Sequence, residues 1–176
     1  IFKKITTLFS ARFKSLKNKK ALNNQGIFYH GADEYRYFFS FLYWTGCRRG
    51  EAQALTWNDF EQDFRYVKIK KTLSTKVVGK PYSITTPKTV TSNRKISIPE
   101  TLRVLLKEKY KDDITIDGFS HKCFVFGTVK PLSDESIRRN KNKAAASANI
   151  RAIRTHDFRH SYATIFDKFS SFQLNS

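Results

Sequence analysis

Residues 33–51, DEYRYFFSFLYWTGCRRGE, decide how this chain folds. Asp33 and Glu34 open the stretch, Tyr35 to Trp44 is dominated by aromatic residues, and Gly46 closes it. Acids suit the positive end of a helix dipole, and a helix that is apolar on most sides must be buried on most sides. The run therefore predicts a central helix that stops at Gly46, a residue at home in left-handed backbone. A short helix from Arg49 to Leu55 should follow and end at the turn-forming pair Asn58-Asp59. The buried helix thus delivers the chain to a glycine turn with Arg48 and Arg49 on its far side and Glu51 three residues after the first arginine. A carboxylate at that spacing can orient an arginine whose planar fork binds phosphate bidentately. An ordinary surface Arg–Glu pair has the same spacing and would contribute little.

Outward from this stretch, three runs read as strands. In Phe64–Lys71, Val67 and Ile69 share one face while Tyr66, Lys68 and Lys70 share the other. In Pro81–Thr85, Tyr82 and Ile84 alternate with Ser83 and Thr85, and in Arg94–Ile98, Ile96 and Ile98 point away from Lys95 and Ser97. Turn-rich linkers at 74–80 and 86–93 make a three-stranded antiparallel sheet the simplest arrangement. Pro99 suits the first position of a helix carrying Leu102, Leu105 and Leu106. Ser133 suits the N-cap of a long helix running to Ser147. Thr155 would cap a last helix, with Asp157 in its first turn. The expected fold class is α+β, mostly helical, with a small three-stranded antiparallel sheet.

The last helix holds chemistry as well as core. Phe158, Tyr162, Ile165 and Phe166 fall within one arc of about 100°, which marks the buried stripe. His156 and Arg159, three apart, share an adjoining face. One can shuttle a proton while the other clamps an oxyanion, as phosphoryl chemistry requires; a purely structural surface pair is the plainer reading. Lys88 lies in the loop between the second and third strand-like runs. Surrounding positive charge lowers a lysine pKa, which would let Lys88 act as a general acid toward a leaving oxygen, or it is a simple phosphate contact.

The 176 residues carry 33 Lys/Arg against 15 Asp/Glu, a net charge of +18, with 40% hydrophobic residues. Such a chain can build a core, which excludes general disorder, collagen and disulfide-scaffold classes. Neither a membrane span nor a secretory signal is visible. Cys47 and Cys123 are too few for a disulfide framework, fit a reducing cytoplasm and read as core residues. The positive charge comes in blocks: residues 1–32, 64–99 and 136–156 hold seven, nine and six basic residues with no acid, together 22 of the 33. Ordinary surfaces intersperse both signs, whereas phosphate contacts need unopposed cations. Double-stranded DNA is the expected partner, with Arg49, Lys68, Lys70, Arg94, Lys95, Arg138, Arg139 and Lys141 as candidate contacts. An RNA-binding basic protein would explain the charge and nothing else.

Three segments in order carry a family resemblance. Residues 45–52 followed by Ala54-Leu55-Thr56-Trp57-Asn58-Asp59 resemble the first catalytic box of the tyrosine recombinases. Residues 155–164, with His156-x-x-Arg159 and then His160-Ser161, resemble the second box. Between them, Pro87-Lys88-Thr89 through Asn93-Arg94-Lys95 and Ile98-Pro99 is similar to the lysine-bearing β-hairpin of that family. The likeness covers about Asp33 to Phe166 and is of the kind seen in integrases of phages and conjugative transposons. It implies that Arg48 and Arg159 clamp the scissile phosphate, His156 assists proton transfer, Lys88 protonates the leaving 5′ oxygen, and Glu51 supports the first box. It further implies a 3′-phosphotyrosine intermediate, no metal or other cofactor, tetramers on DNA, and a bacterial cytoplasmic protein bound to the nucleoid.

The family's nucleophilic tyrosine lies well beyond the second box. Here Tyr162 is the only tyrosine after Arg159, and it sits on the core stripe. Residues 33–176 are thus expected to be a recombinase catalytic domain incomplete at its C-terminus, without its nucleophile and inactive as written. Residues 1–32 would be a basic lead-in or the remnant of a linker. Ile1 in first place and the lack of any Met lead us to expect residues upstream. A non-catalytic DNA-binding relative of an integrase is the alternative.

Overall fold

A computed structural model of the protein describes residues 32–75, 79–86, 93–152 and 154–158. The aromatic run forms helix α1, Ala32–Thr45. Tyr35, Tyr37, Phe38, Phe39, Phe41 and Leu42 are all buried, so the helix is the axis of the core. At its end the Thr45 hydroxyl donates to the Phe41 carbonyl (2.6 Å), and Gly46, at φ 60°, donates its N–H to Leu42 (3.0 Å). Helix α2, Arg49–Gln53, follows, and then a turn of 3-10 helix at Trp57–Asp59.

The strands are β1 (Phe60–Glu61), β2 (Tyr66–Ile69), β3 (Thr72–Ser74), β4 (Ser83–Thr85) and β5 (Arg94–Ser97). The antiparallel three-stranded sheet exists, but its membership differs from the sequence expectation. Its order is β1-β2-β5, while β3 and β4 form a separate antiparallel pair. The Pro81–Thr85 run therefore pairs with Thr72–Ser74, in the register Leu73↔Ile84, and the third place goes to Phe60–Glu61. The reason lies at Gln62, Asp63 and Phe64, which all adopt positive φ (49°, 56° and 65°). That reversal lays Phe60 against Val67. The expected first strand is also broken at Lys70-Lys71, where Lys71 Nζ turns to Thr56 Oγ1 and Asp59 Oδ2, each 2.9 Å away. Val67, Ile69 and Ile98 are buried as their alternation predicts.

Helix α3, Glu100–Asp113, starts one residue after Pro99, which is its N-cap. Leu102 and Leu106 face the core. Lys109 and Asp113 are buried with them, joined by Glu34 of α1. Lys109 Nζ lies 2.7 Å from Glu34 Oε2 and 3.3 Å from Asp113 Oδ2, and Glu34 Oε1 accepts the Gly127 N–H (2.9 Å). Burial works against the Lys109 charge, but the two carboxylates outweigh it and its pKa is raised. Phe126 fills the gap between Phe38 and Phe41 at 5.3 and 5.4 Å. Helix α4, Asp134–Ser147, is capped by Ser133, whose Oγ accepts the Ser136 N–H (3.2 Å). Helix α1 packs against α2, α3 and α4.

In the last described segment, the Asp157 carboxylate accepts the Arg154 N–H (2.8 Å). The helix start is thus closed by Asp157 reaching back to Arg154, one residue before the Thr155 expected as cap. Phe158 is buried and stacks on Phe39 (5.4 Å, 20°), which agrees with its place on the core stripe. Tyr162, Ile165 and Phe166 lie outside the described residues.

Candidate active site

The turn after α1 is built to present Arg48. Gly46 ends the helix, Cys47 drops into the core at 3% exposure, and Arg48 takes extended backbone (φ −68°, ψ 148°) as the N-cap of α2. Glu51, one turn into α2, folds its carboxylate back, and Oε2 accepts the Arg48 backbone N–H (2.9 Å). Arg48 Nη1 donates to Oε1 (3.2 Å). The pair is asymmetric: the Glu51 side chain is 4% exposed and that of Arg48 is 60% exposed. This is therefore not a surface pair, but a buried acid bracing an arginine whose head stays in solvent. Gly50 lets α2 sit this close to β3, because a Cβ there would lie 2.6 Å from the Leu73 carbonyl oxygen.

A second arginine completes the brace. Arg94 Nη1 donates to Glu51 Oε1 (3.0 Å) and Nη2 to Oε2 (2.6 Å), and Nη2 is also 3.9 Å from Cys47 Sγ. Burial pushes the Glu51 carboxyl upward, but the Arg94 and Arg48 hydrogen bonds prevail and hold it below the usual carboxylate value. Arg94 is correspondingly raised, chiefly by its hydrogen bonds to Glu51. Sequence reading grouped Arg94 with the DNA contacts and missed its bond to Glu51. The signal was present: Arg94, Ile96 and Ile98 alternate onto one face, and that face is the less exposed one.

The other candidates fall as follows. His156 is exposed, two residues before Phe158, so the Phe39–Phe158 stack docks the second box on the helix that leads to the first. Lys88 and Arg159 lie outside the described residues. Arg49 pairs with Asp134 Oδ2 (2.8 Å). Lys95 pairs with Glu61 (3.0 Å) and lies over the Tyr66 ring, and Lys68 pairs with the same Glu61. Lys70, Arg138 and Arg139 are exposed, and Lys141 is half-buried on α4. Cys123 is half-buried rather than fully in the core. Among the described residues no three His, Cys, Asp or Glu side chains are grouped to hold a metal ion, and no helix is long and apolar enough to cross a membrane.

Comparison with known proteins bears on this arrangement. Residues 18–168 match the sequence profile of the phage integrase family. The chain is 31% identical over 137 residues to the ICEBs1 integrase of Bacillus subtilis (strain 168), which covers 74% of this chain and 37% of that protein. Its fold is similar to that of the Tn1549 transposon integrase, solved in complex with a circular intermediate DNA, with a TM-score of 0.63 at 18% identity over 94% of this chain and 51% of that one. It is also similar to the XerH site-specific recombinase bound to a palindromic difH substrate, with a TM-score of 0.57 at 17% identity over 96% of this chain and 40% of that one. The chain thus spans about half or less of the length of these relatives.

Proposed function

Because the chain belongs to the phage integrase family of tyrosine recombinases, we propose that residues 33–176 form the phosphate-activating part of a recombinase catalytic domain acting on double-stranded DNA at the ends of a mobile element. The observation that carries this reading is the buried Glu51 carboxylate, which holds Arg48 from below while the Arg48 side chain remains 60% exposed. An arginine fixed in that way is preorganised to meet phosphate oxygens with little cost in ordering.

In the proposed reaction Arg48 and Arg159 bind the non-bridging oxygens and offset the charge that grows on them as phosphorus becomes five-coordinate. A tyrosine oxygen attacks from the side opposite the 5′ oxygen. The P–O5′ bond breaks as the Tyr–P bond forms, and Lys88 gives its proton to the departing 5′ oxygen. His156 assists proton transfer at the attacking side. The phosphodiester energy is kept in the 3′-phosphotyrosine, so the reverse attack by a 5′ hydroxyl rejoins a strand. Tetramers on DNA would bring the exchanging strands together.

Among the described residues, Tyr35, Tyr37 and Tyr43 are poorly suited to the attacking role. Burial raises the phenol pKa of all three. On this reading, a polypeptide of residues 1–176 alone is expected to bind duplex DNA without forming a covalent adduct. The full-length protein, given a nicked duplex bearing the element's end, should form an adduct that survives denaturing electrophoresis. Arg48→Ala should reduce that adduct by at least about a hundredfold while weakening duplex binding only by the share of one phosphate contact. Equal adduct yields from wild type and Arg48→Ala would sink the recombinase reading.

A further inference from the structure

Resting on that reading, we propose that Arg94 is a positioning residue, which acts through Glu51 on Arg48 and ties the strand leaving the Lys88-bearing loop to the first-box turn. Its role would not be to contact phosphate. Both terminal nitrogens of Arg94 are engaged by the two oxygens of Glu51. Each Glu51 oxygen then receives one donor from Arg94 and one from Arg48. A carboxylate offers about four lone-pair sites, so this one is saturated and cannot rotate without breaking a bond to one of the arginines. The three side chains sum to one net positive charge. The head that carries it outward is Arg48, since the Arg94 side chain is 29% exposed against 60% for Arg48.

Arg94 also fixes a second element. It opens β5 and pairs with the buried Ile69 of β2, six residues after Lys88 in the sequence. One side chain therefore joins the base of the lysine loop to the turn of the first arginine, across 43 residues of chain. A guanidinium suits this task and an ammonium does not, because only the planar fork meets both oxygens of one carboxylate at once.

The test uses the full-length protein and a duplex bearing the element's end. Arg94→Lys and Arg94→Gln are each expected to lower the single-turnover cleavage rate about a hundredfold, the scale of a misplaced catalytic group. Duplex affinity and the slope of log K against log salt should stay as in wild type. In an Arg48→Lys background, adding Arg94→Gln should reduce the residual rate no further, since both act through one group. Three results would overturn the proposal. Restoration of the rate by Arg94→Lys would mean that charge alone matters. A slope reduced by about 0.9 in Arg94→Gln would mean a phosphate contact. Rate losses that multiply in the double variant would mean independent action. Should Arg94→Gln fail to fold, Arg94→Lys, which keeps the charge, is read alone. Should the wild type cleave no element-end duplex, the recombinase reading fails and the salt slopes decide the brace. A drop of about 0.9 for Arg48→Gln with none for Arg94→Gln supports it, and equal drops overturn it.

Discussion

At the scale of single residues, Glu51 links stability to pH in a defined direction. Its folded-state pKa is lowered by Arg94 and Arg48 against the upward push of burial. A carboxylate of depressed pKa stabilises the fold above its ordinary value, and the contribution is lost as pH falls through the depressed one. Stability should therefore hold from neutrality down to about pH 4.5 and fall below it. Glu61 and Asp63 are lowered in the same sense by the lysines they meet. The share due to Glu51 is the part of the acid limb that disappears in Glu51→Gln, measured by urea denaturation at a series of pH values. An acid limb unchanged in that variant would show that the brace carries no linked proton. Arg48 and Glu51 were legible in the sequence because their spacing is local, three residues on one helix turn. Arg94 was not, since its partner is 43 residues away and its charge invited grouping with the neighbouring lysines. What the alternation of Arg94, Ile96 and Ile98 carried was a direction, inward, rather than a partner.

At the scale of elements, ends that are marked by chemistry were the readable ones. Gly46 and Ser133 each stop or start a helix by a single local bond, so the limits of α1 and α4 follow from the sequence to within a few residues. Ser133→Ala should cost about 1 kcal/mol, read as a lowered urea midpoint at constant slope. Ser133→Asn, which keeps an acceptor, should hold most of it. The partition of the strands was not readable. Gln62, Asp63 and Phe64 enter left-handed backbone without a glycine among them, and nothing in their identity announces a reversal that tight. Packing of Phe60 and Phe64 around Trp57, at 5.8 Å each, supplies the reason, and packing of that kind is visible only once the fold exists.

For the whole molecule, blocks without acids in sequence are not free of acids in space. Lys68, Lys71 and Lys95 of the 64–99 block each meet an acid from outside it, at Glu61, Asp59 and Glu61, and Arg49 meets Asp134. The net charge of +18 still favours a polyanion, but the surface offered to it is narrower than the composition suggests. Exposed pairs such as Arg49–Asp134 and Lys95–Glu61 contribute little to stability, and all of these acids compete with phosphate for the same cations. The candidate site was legible as three motifs in order. Two of its expected members, Lys88 and Arg159, lie outside the described residues, so the structure speaks to Arg48, Glu51 and the placement of His156.

The buried cluster of Glu34, Lys109 and Asp113 bears on how the chain reaches its fold. Lys109 lies 75 residues from Glu34, and Glu34 lies 93 from the Gly127 amide it accepts. Contacts this distant require large loops to close first, and dehydrating three charges becomes favourable only when all partners are in place. The cluster should accordingly assemble after the folding transition state. Lys109→Met, which removes the ammonium from between two buried carboxylates, should cost about 3–5 kcal/mol. In stopped-flow kinetics nearly all of that cost should appear as faster unfolding, with the refolding rate almost unchanged. A refolding rate slowed in proportion would put the cluster in the nucleus instead. With the cluster formed late, the charged triplet governs how long the native state lasts rather than how quickly it is found.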